Sequence, residues 1–415
     1  MRVVVWLLLI AIVAVVAAGT LGANDGLVSL YWSGWRVDLS LNFFLIGLLL
    51  ICLALYSIVQ TLDSLLGLPR RAQRWRVSRR DRVGQAALRE ALAQLLAGRY
   101  SRAHKMAQRA ITIQAQTPEI EADPEFTALG HLLSASSLHR LQDRPRRDEH
   151  LSLALANARR KRGTSPSEEA AQLLAAEWAI DDRRAEQALS DLSALPPGLG
   201  RRTQALRLRL QAARLANQPL EALRTARLLA KHGGISSTAA EGLLRTLAMA
   251  ALDAARDADQ LRQQWQQLDG ADRKDPYVAA HAVTLIGQFG APDDGRAWLR
   301  PFWDRLGSLS AEERAQLAQA MAHCVAGLPA DWLPRLEGAH QTYPREPMVS
   351  YAVGRALAER QLWGKARRLL ENAAQEPTLP AACRRDAWLF LATLADQEQR
   401  PDDAADCYRR AARSL

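Results

Sequence analysis

The sequence predicts an all-α protein: an N-terminal two-helix transmembrane hairpin (residues 1–62), a basic juxtamembrane linker (63–84) and an array of short helix pairs to the end (85–415). Three observations predict it. Two uncharged stretches near the start are each long enough to cross a bilayer. From Gln85 onward Ala, Leu, Arg, Gln and Glu dominate, and all five favour helix. Small residues then recur at helical spacing in units that repeat along the body. No alternating strand run and no Asn-Gly hairpin signal stands out, so a β-rich domain is disfavoured. A chain of 415 residues with 48% hydrophobic and 24% charged residues has a globular balance, which excludes bulk disorder.

The first apolar stretch covers residues 3–23, or roughly 31 Å as a helix, which matches the hydrocarbon thickness of a bilayer. A cleaved signal peptide is the competing reading, since Arg2 gives a basic start. A second uncharged stretch at 39–59 weighs against it, because two spans make a hairpin. Ala14, Ala18 and Gly22 form a small-residue stripe for close helix approach, and Asn42 offers an interhelical hydrogen bond. Between the spans, Tyr31, Trp32 and Trp35 suit an interfacial aromatic belt. After the second span come Arg70, Arg71, Arg74, Arg76, Arg79, Arg80 and Arg82 against the single acid Asp81, which supplies +6 of the net charge of +10. Beside an apolar segment this run reads as a flank for anionic lipid rather than as a nucleic-acid arm. The positive-inside rule then sets both termini in the cytoplasm, with two spans. Neither span carries an internal charge, so a proton relay or ion pore is not indicated.

The body is clearest at its end. Trp388, Leu391, Ala392 and Ala395, then Ala404, Tyr408 and Ala411, follow the pattern of a tetratricopeptide repeat. The preceding unit reads Val353, Gly354, Leu357, Ala366, Leu370, Ala373 and Pro377, and its Ala366 stands 38 residues before Ala404. Near the start, Gly98, Tyr100, Ala103, Ala107 and Ala110 form a second-helix signature within GRYSRAHKMAQRA. Ala176 with Ala188 and Leu192, and Ala222 with Ala226, are weaker copies. Small residues at these places let antiparallel helices approach while larger ones fill the space between them. The expected fold is therefore a tetratricopeptide-type α-solenoid, with a generic helical bundle as the alternative. Loops are expected at 117–124, 162–166, 195–200, 232–237, 270–276, 290–295 and 344–347.

Chemistry is sparse. No dinucleotide fingerprint, phosphate-binding loop, H-E-x-x-H or G-x-S-x-G occurs. Cys52, Cys324, Cys383 and Cys407 share no C-x-x-C spacing, so neither a disulfide framework nor a zinc knuckle is indicated, and the body belongs in a reducing compartment. The eight histidines are scattered, and adjacent His323 and Cys324 are the one pair to weigh as haem or metal ligands. Against it, neighbouring residues point to different faces of a helix. Glu168 with Glu169, and Asp181 with Asp182, read as solvated helix starts rather than acid–base dyads. Arg201, Arg202, Arg207, Arg209 and Arg214 form a basic row that either lines a groove for acidic groups or is a soluble helix face. No catalytic, cofactor-binding or metal-binding residue is assigned, and the chain is expected not to be an enzyme.

Two spans, Leu68-Pro69-Arg70-Arg71 leading into an arginine run, and degenerate repeats to the end together resemble the HemY family of proteobacterial inner-membrane proteins. The likeness covers nearly the full chain. It is carried by Asn24-Asp25-Gly26 through Asp38-Leu39-Ser40-Leu41-Asn42, by GRYSRAHKMAQRA, and by Asp259-Gln260-Leu261 through Trp265 and Asp275-Pro276. The resemblance implies a role in a late step of protohaem biosynthesis, organising enzymes such as ferrochelatase or protoporphyrinogen oxidase at the membrane. It implies no cofactor and identifies no catalytic residue. A haem- or porphyrin-binding carrier and a general envelope-assembly adaptor are the alternatives. A flavin-dependent oxidase family of the same name is set aside by the missing dinucleotide fingerprint.

Overall fold

The computed structural model describes Val13 and residues 26–117, 123–160 and 165–414. The expected first span at 3–23, with Ala14, Ala18 and Gly22, lies outside the described residues apart from Val13, which is helical.

The expected loop after it is instead a β-hairpin. Strands β1 (Leu27–Trp32) and β2 (Trp35–Ser40) pair antiparallel, with Val28 opposite Leu39, Leu30 opposite Val37 and Trp32 opposite Trp35. The two-residue turn takes positive φ at both Ser33 (43°) and Gly34 (90°), as the twist of a tight hairpin demands. Its Ser-Gly turn is a weaker marker than Asn-Gly, which is why the strands do not stand out in the sequence.

Helix α1 (Leu41–Leu96) follows without a break and is 56 residues long. It starts at Leu41, two residues after the start expected for the second span, because the Ser40 hydroxyl caps it by accepting from the Phe43 amide at 3.3 Å. Residues 41–58 form an apolar window of mean hydropathy 2.4, with no described side chain buried, long enough to cross a membrane. The boundaries expected at residues 62 and 84 both fall inside α1, so the basic linker is helical and continuous with its neighbours on both sides. Gly67 and Pro69 lie inside α1, and Pro69, without an N–H, leaves one bond of the ladder unmade, while the arginines and glutamines that follow are good helix formers.

The chain divides into two compact units, Met1–Lys161 and Arg162–Leu415. In the first, the end of α1 packs on α2 (Tyr100–Ala115), followed by α3 (Pro124–Arg140) and α4 (Arg144–Ala158). Their contact layer is alanine: Ala87, Ala91, Ala103, Ala107, Ala110, Ala128, Ala135 and Ala154 are buried. The second unit begins with α5 (Pro166–Asp181), α6 (Ala185–Ser193), α7 (Pro197–Gly200), α8 (Thr203–Leu215) and α9 (Pro219–Lys231). It goes on through α10 (Ser237–Asp253), α11 (Ala258–Gln267), α12 (Gly270–Arg273), α13 (Pro276–Gln288) and α14 (Pro292–Trp303). It ends with α15 (Ala311–Ala322), α16 (Leu333–Thr342), α17 (Pro347–Glu359), α18 (Trp363–Gln375), α19 (Ala381–Gln397) and α20 (Pro401–Arg413). One continuous apolar core runs from Leu206 to Ala411, beside a smaller one from Ala176 to Ala212. Three of the expected loops contain helix: α7, α12 and the first turn of α14. In α7 and α14 a proline supplies the first helical residue, where its missing N–H costs nothing.

A single backbone device closes seven of the helix pairs. Gly98, Gln142, Arg183, Asn217, Gly290, Gln361 and Gln399 all take positive φ just after a helix. In each case the next residue's amide donates back to the carbonyl five positions earlier, as in Arg99 to Gln94 at 2.9 Å and Leu362 to Leu357 at 2.9 Å. This satisfies an orphan carbonyl and turns the chain back on itself. Successive turns from Gly98 to Asn217 are 44, 41 and 34 residues apart, and the last two are 38 apart. The spacing is that of a helix-pair repeat. Five of the seven positions are not glycine, so this register is carried by the backbone and is faint in the sequence.

Candidate functional site

The expected repeat-packing residues divide into those that fill the helix interfaces and those that do not. Ala103, Ala107, Ala110, Ala366, Leu370, Ala373, Trp388, Leu391, Ala392, Ala404 and Ala411 are all buried. Gly354 is buried too, and a Cβ there would stand 2.8 Å from Leu370 Cγ, so α17 and α18 approach too closely for a side chain. Gly98, Tyr100 and Tyr408 are outside the core. Gly98 is exposed and makes the left-handed turn after α1, Tyr100 is half-buried at the start of α2, and Tyr408 donates to Asp396 at 3.0 Å on the surface.

Of the expected membrane-flank residues, the side chains of Arg70, Arg71 and Arg74 lie outside the described residues. Arg76, Arg79, Arg80 and Arg82 are exposed on α1, with Arg79 over the Trp75 ring at 5.3 Å and Arg82 donating to the Ser78 carbonyl. A helix rises 1.5 Å per residue, so Arg70 lies roughly 18 Å and Arg82 roughly 36 Å beyond Ile58 along the axis. Charges act over about 8–10 Å in physiological salt. With α1 along the bilayer normal, the run therefore leads away from the headgroups, and its far end is a charged stalk.

The first unit holds a constellation that sequence spacing does not show. Three of the scattered histidines meet between α2, α3 and α4. His131 Nδ1 and His150 Nδ1 are 2.9 Å apart, and His150 Nε2 is 2.8 Å from the amide nitrogen of Gln108. The His104 ring stands edge-on to His150 at 5.7 Å between centroids. With Gln108 donating to His150 Nε2, the His150 Nδ1–H donates to His131 Nδ1, a chain that requires both imidazoles to be neutral. Burial, followed by the nearby His150, holds His131 down to about 4. Burial likewise lowers His104 and His150, with Arg146 and His104 respectively adding to the effect. Among the described residues, no group of three or more His, Cys, Asp or Glu is arranged to hold a metal ion.

The remaining sequence candidates resolve individually. Cys324 is fully buried, its Sγ is 3.5 Å from the Val283 carbonyl, and burial pushes the thiol up to about 12, so it is an inert packing group. His323 caps α15 and is held low by burial and then by Arg355. Three of the five arginines of the row are engaged: Arg202 makes a two-pronged pair with Glu169, Arg209 bonds Glu221 at 2.8 Å, and Arg207 donates to the Gly234 carbonyl. Glu168 and Glu169 lie in the first turn of α5, where they face the positive end of the helix.

A long helix with a membrane-length apolar window, continuous with a series of helix pairs closed by one turn type, defines a membrane-associated helical-repeat protein. Residues 26–122 match the family described as HemY protein N-terminus, the family that the sequence resembles. The match runs from the β-hairpin through α2. No curated protein matches the chain. Among solved structures, the chain is similar to Naa15/Naa10 bound to HypK-THB, at 13% identity and a TM-score of 0.25 over 75% of this chain and 56% of that one. It is also similar to the TPR domain of P58(IPK), at 13% identity and a TM-score of 0.22, covering 79% and 92%. The chain thus spans little more than half the length of the first of these.

Proposed function

We propose that this protein is a non-enzymatic inner-membrane scaffold for a late step of protohaem biosynthesis, holding pathway enzymes such as ferrochelatase or protoporphyrinogen oxidase on a cytoplasmic repeat array. The observation that carries this reading is α1. One uninterrupted helix contains both the apolar window and, from Gly84 onward, the first wall of the repeats, where a Cβ at Gly84 would lie 3.5 Å from Ile113 Cγ2. Anchor and first repeat share one helix, which passes Pro69 between them. A partner bound to the array is held at the bilayer rather than free in solution, and the gain is in effective concentration. The match of residues 26–122 to the HemY family supports the haem context, and the arginine run supports the orientation by the positive-inside rule.

Photo-cross-linking from the repeats in intact membranes tests it. Capture of haem-pathway enzymes is expected, whereas capture confined to secretion or outer-membrane factors would make the protein an envelope-assembly adaptor. A deletion strain complemented with the full chain should recover a normal porphyrin profile, while the body from Gln85 onward should not. An active C-terminal alkaline phosphatase fusion would place the array outside the cytoplasm and overturn the topology.

A further inference from the structure

Consecutive repeats of the second unit place two indoles on the same wall. Trp265 of α11 and Trp298 of α14 are 33 residues apart, and their rings stack at 4.8 Å between centroids with 22° between planes. They line a cavity of about 410 Å³ together with Phe302, Arg273, Lys274 and Arg305. The volume falls in the range of small-molecule sites, roughly 300–1,000 Å³. The wall is flat and aromatic, and the rim is cationic. Arg305 lies over the Phe302 ring at 4.9 Å and reaches across to the Lys274 carbonyl at 3.3 Å, tying the two sides of the rim together.

The rim charge is uncompensated. Among the described residues neither Arg273, Lys274 nor Arg305 has a carboxylate partner, although acids stand close in the chain. Asp269 and Asp272 are both taken by Arg227, and Asp304 is taken by Arg335 at 3.1 Å. The local acids are turned to neighbouring repeats, and the three cations are left facing the cavity mouth. A flat π surface under a cationic rim complements a flat, electron-rich body with acids at its edge. From this geometry we infer that the cleft between α11 and α14 binds a planar aromatic ring system bearing carboxylates, with the ring against Trp298 and the acids at Arg273, Lys274 and Arg305. The inference goes beyond the scaffold reading and does not depend on it, since the cleft is built wholly from residues 265–305.

The test uses the full chain in lipid nanodiscs, with pyrenetetracarboxylate as a water-soluble planar probe and butanetetracarboxylate as a probe of the same charge without a ring. Quenching of pyrene emission should report saturable binding of the first, and competition should show none of the second. Arg273→Gln with Lys274→Gln, both on exposed side chains, should weaken binding about tenfold or more with no change in thermal melting. Trp298→Ala should weaken it as well, and Trp298→Phe should restore it. Equal binding of both probes, binding unchanged in the double variant, or no saturable binding of the pyrene acid would each overturn the inference.

Discussion

The two units are built on the same helix-pair plan but have different interiors. In the first, alanine dominates the buried layer beside Leu132 and Leu138, and polar groups lie among them: His131, Ser134, Ser137 and Arg147 are all buried between the helices. In the second, Leu, Val, Phe, Trp and Met join in one apolar core from Leu206 to Ala411, and its most buried cation, Arg296, is fully engaged by backbone carbonyls. The same backbone repeat thus tolerates two ways of filling the space between helices. A polar, hydrogen-bonded filling makes the fold answer to protonation, and an apolar filling makes it answer to volume.

Four measurements would break or sharpen that contrast. The largest effect is expected at Arg296, which is 3% exposed and donates to the Cys324 and Ala326 carbonyls at 2.6 and 2.7 Å. Arg296→Ala strands both acceptors in the core, and a loss of about 3–5 kcal/mol is expected in urea unfolding followed by tryptophan emission. A loss under 1 kcal/mol would mean that the second unit does not rely on the contact.

Next is the response to acid. His131 is held at about 4 against an ordinary 6.5, so the unfolded chain takes its proton first. The stability this represents is complete above pH 6.5 and drains away as the pH falls toward 4. The loss amounts to up to about 3 kcal/mol. Hydrogen exchange, corrected for its slower intrinsic rate in acid, should therefore accelerate over that window in peptides from residues 100–158, while peptides from 203–230, which hold no histidine, stay protected. His131→Asn should flatten the dependence, and an equal acceleration in both sets of peptides would erase the distinction between the units.

Steric tolerance comes third. A Cβ at Gly287 would meet the His323 carbonyl oxygen at 2.6 Å, backbone that cannot turn aside, and Gly287→Ala should cost about 1–3 kcal/mol. At Gly130 in the first unit the obstacle is Ile111 Cγ1 at 2.8 Å, on a β-branched side chain that is stiff in a helix but can shift more readily than backbone. Gly130→Ala should cost less than Gly287→Ala, by about 1 kcal/mol, since alanine also favours the helix. Thermal melts of the two variants side by side decide it, and a larger shift at Gly130 would contradict the contrast. The smallest effect belongs to Arg202→Ala. Its pair with Glu169 is 57% and 23% exposed, and a change of about 0–1 kcal/mol, shrinking with added salt, is expected in the same melts.

The sequence by itself determined the helical class, the apolar window that starts α1, the arginine run after it, and the alanines of the helix interfaces. Each follows from short-range rules: hydropathy over some twenty residues, propensity, and spacing of three or four along one helix. It also carried the family likeness through the segment from Gly26 into GRYSRAHKMAQRA. What only the tertiary structure decided was everything that depends on residues a repeat or more apart. The turns at Gln142, Arg183, Gln361 and Gln399 take a left-handed conformation that their residue types do not announce. His104, His131 and His150 lie on three successive helices and meet only when those helices stack. The β-hairpin at 27–40 needed its partner strand before its alternation meant anything. Trp265 and Trp298 become one aromatic wall only because the fold brings α14 against α11, while the acids nearest in sequence to the rim are drawn off by arginines of adjacent repeats. Local physics writes the elements, and packing between repeats chooses which side chains meet.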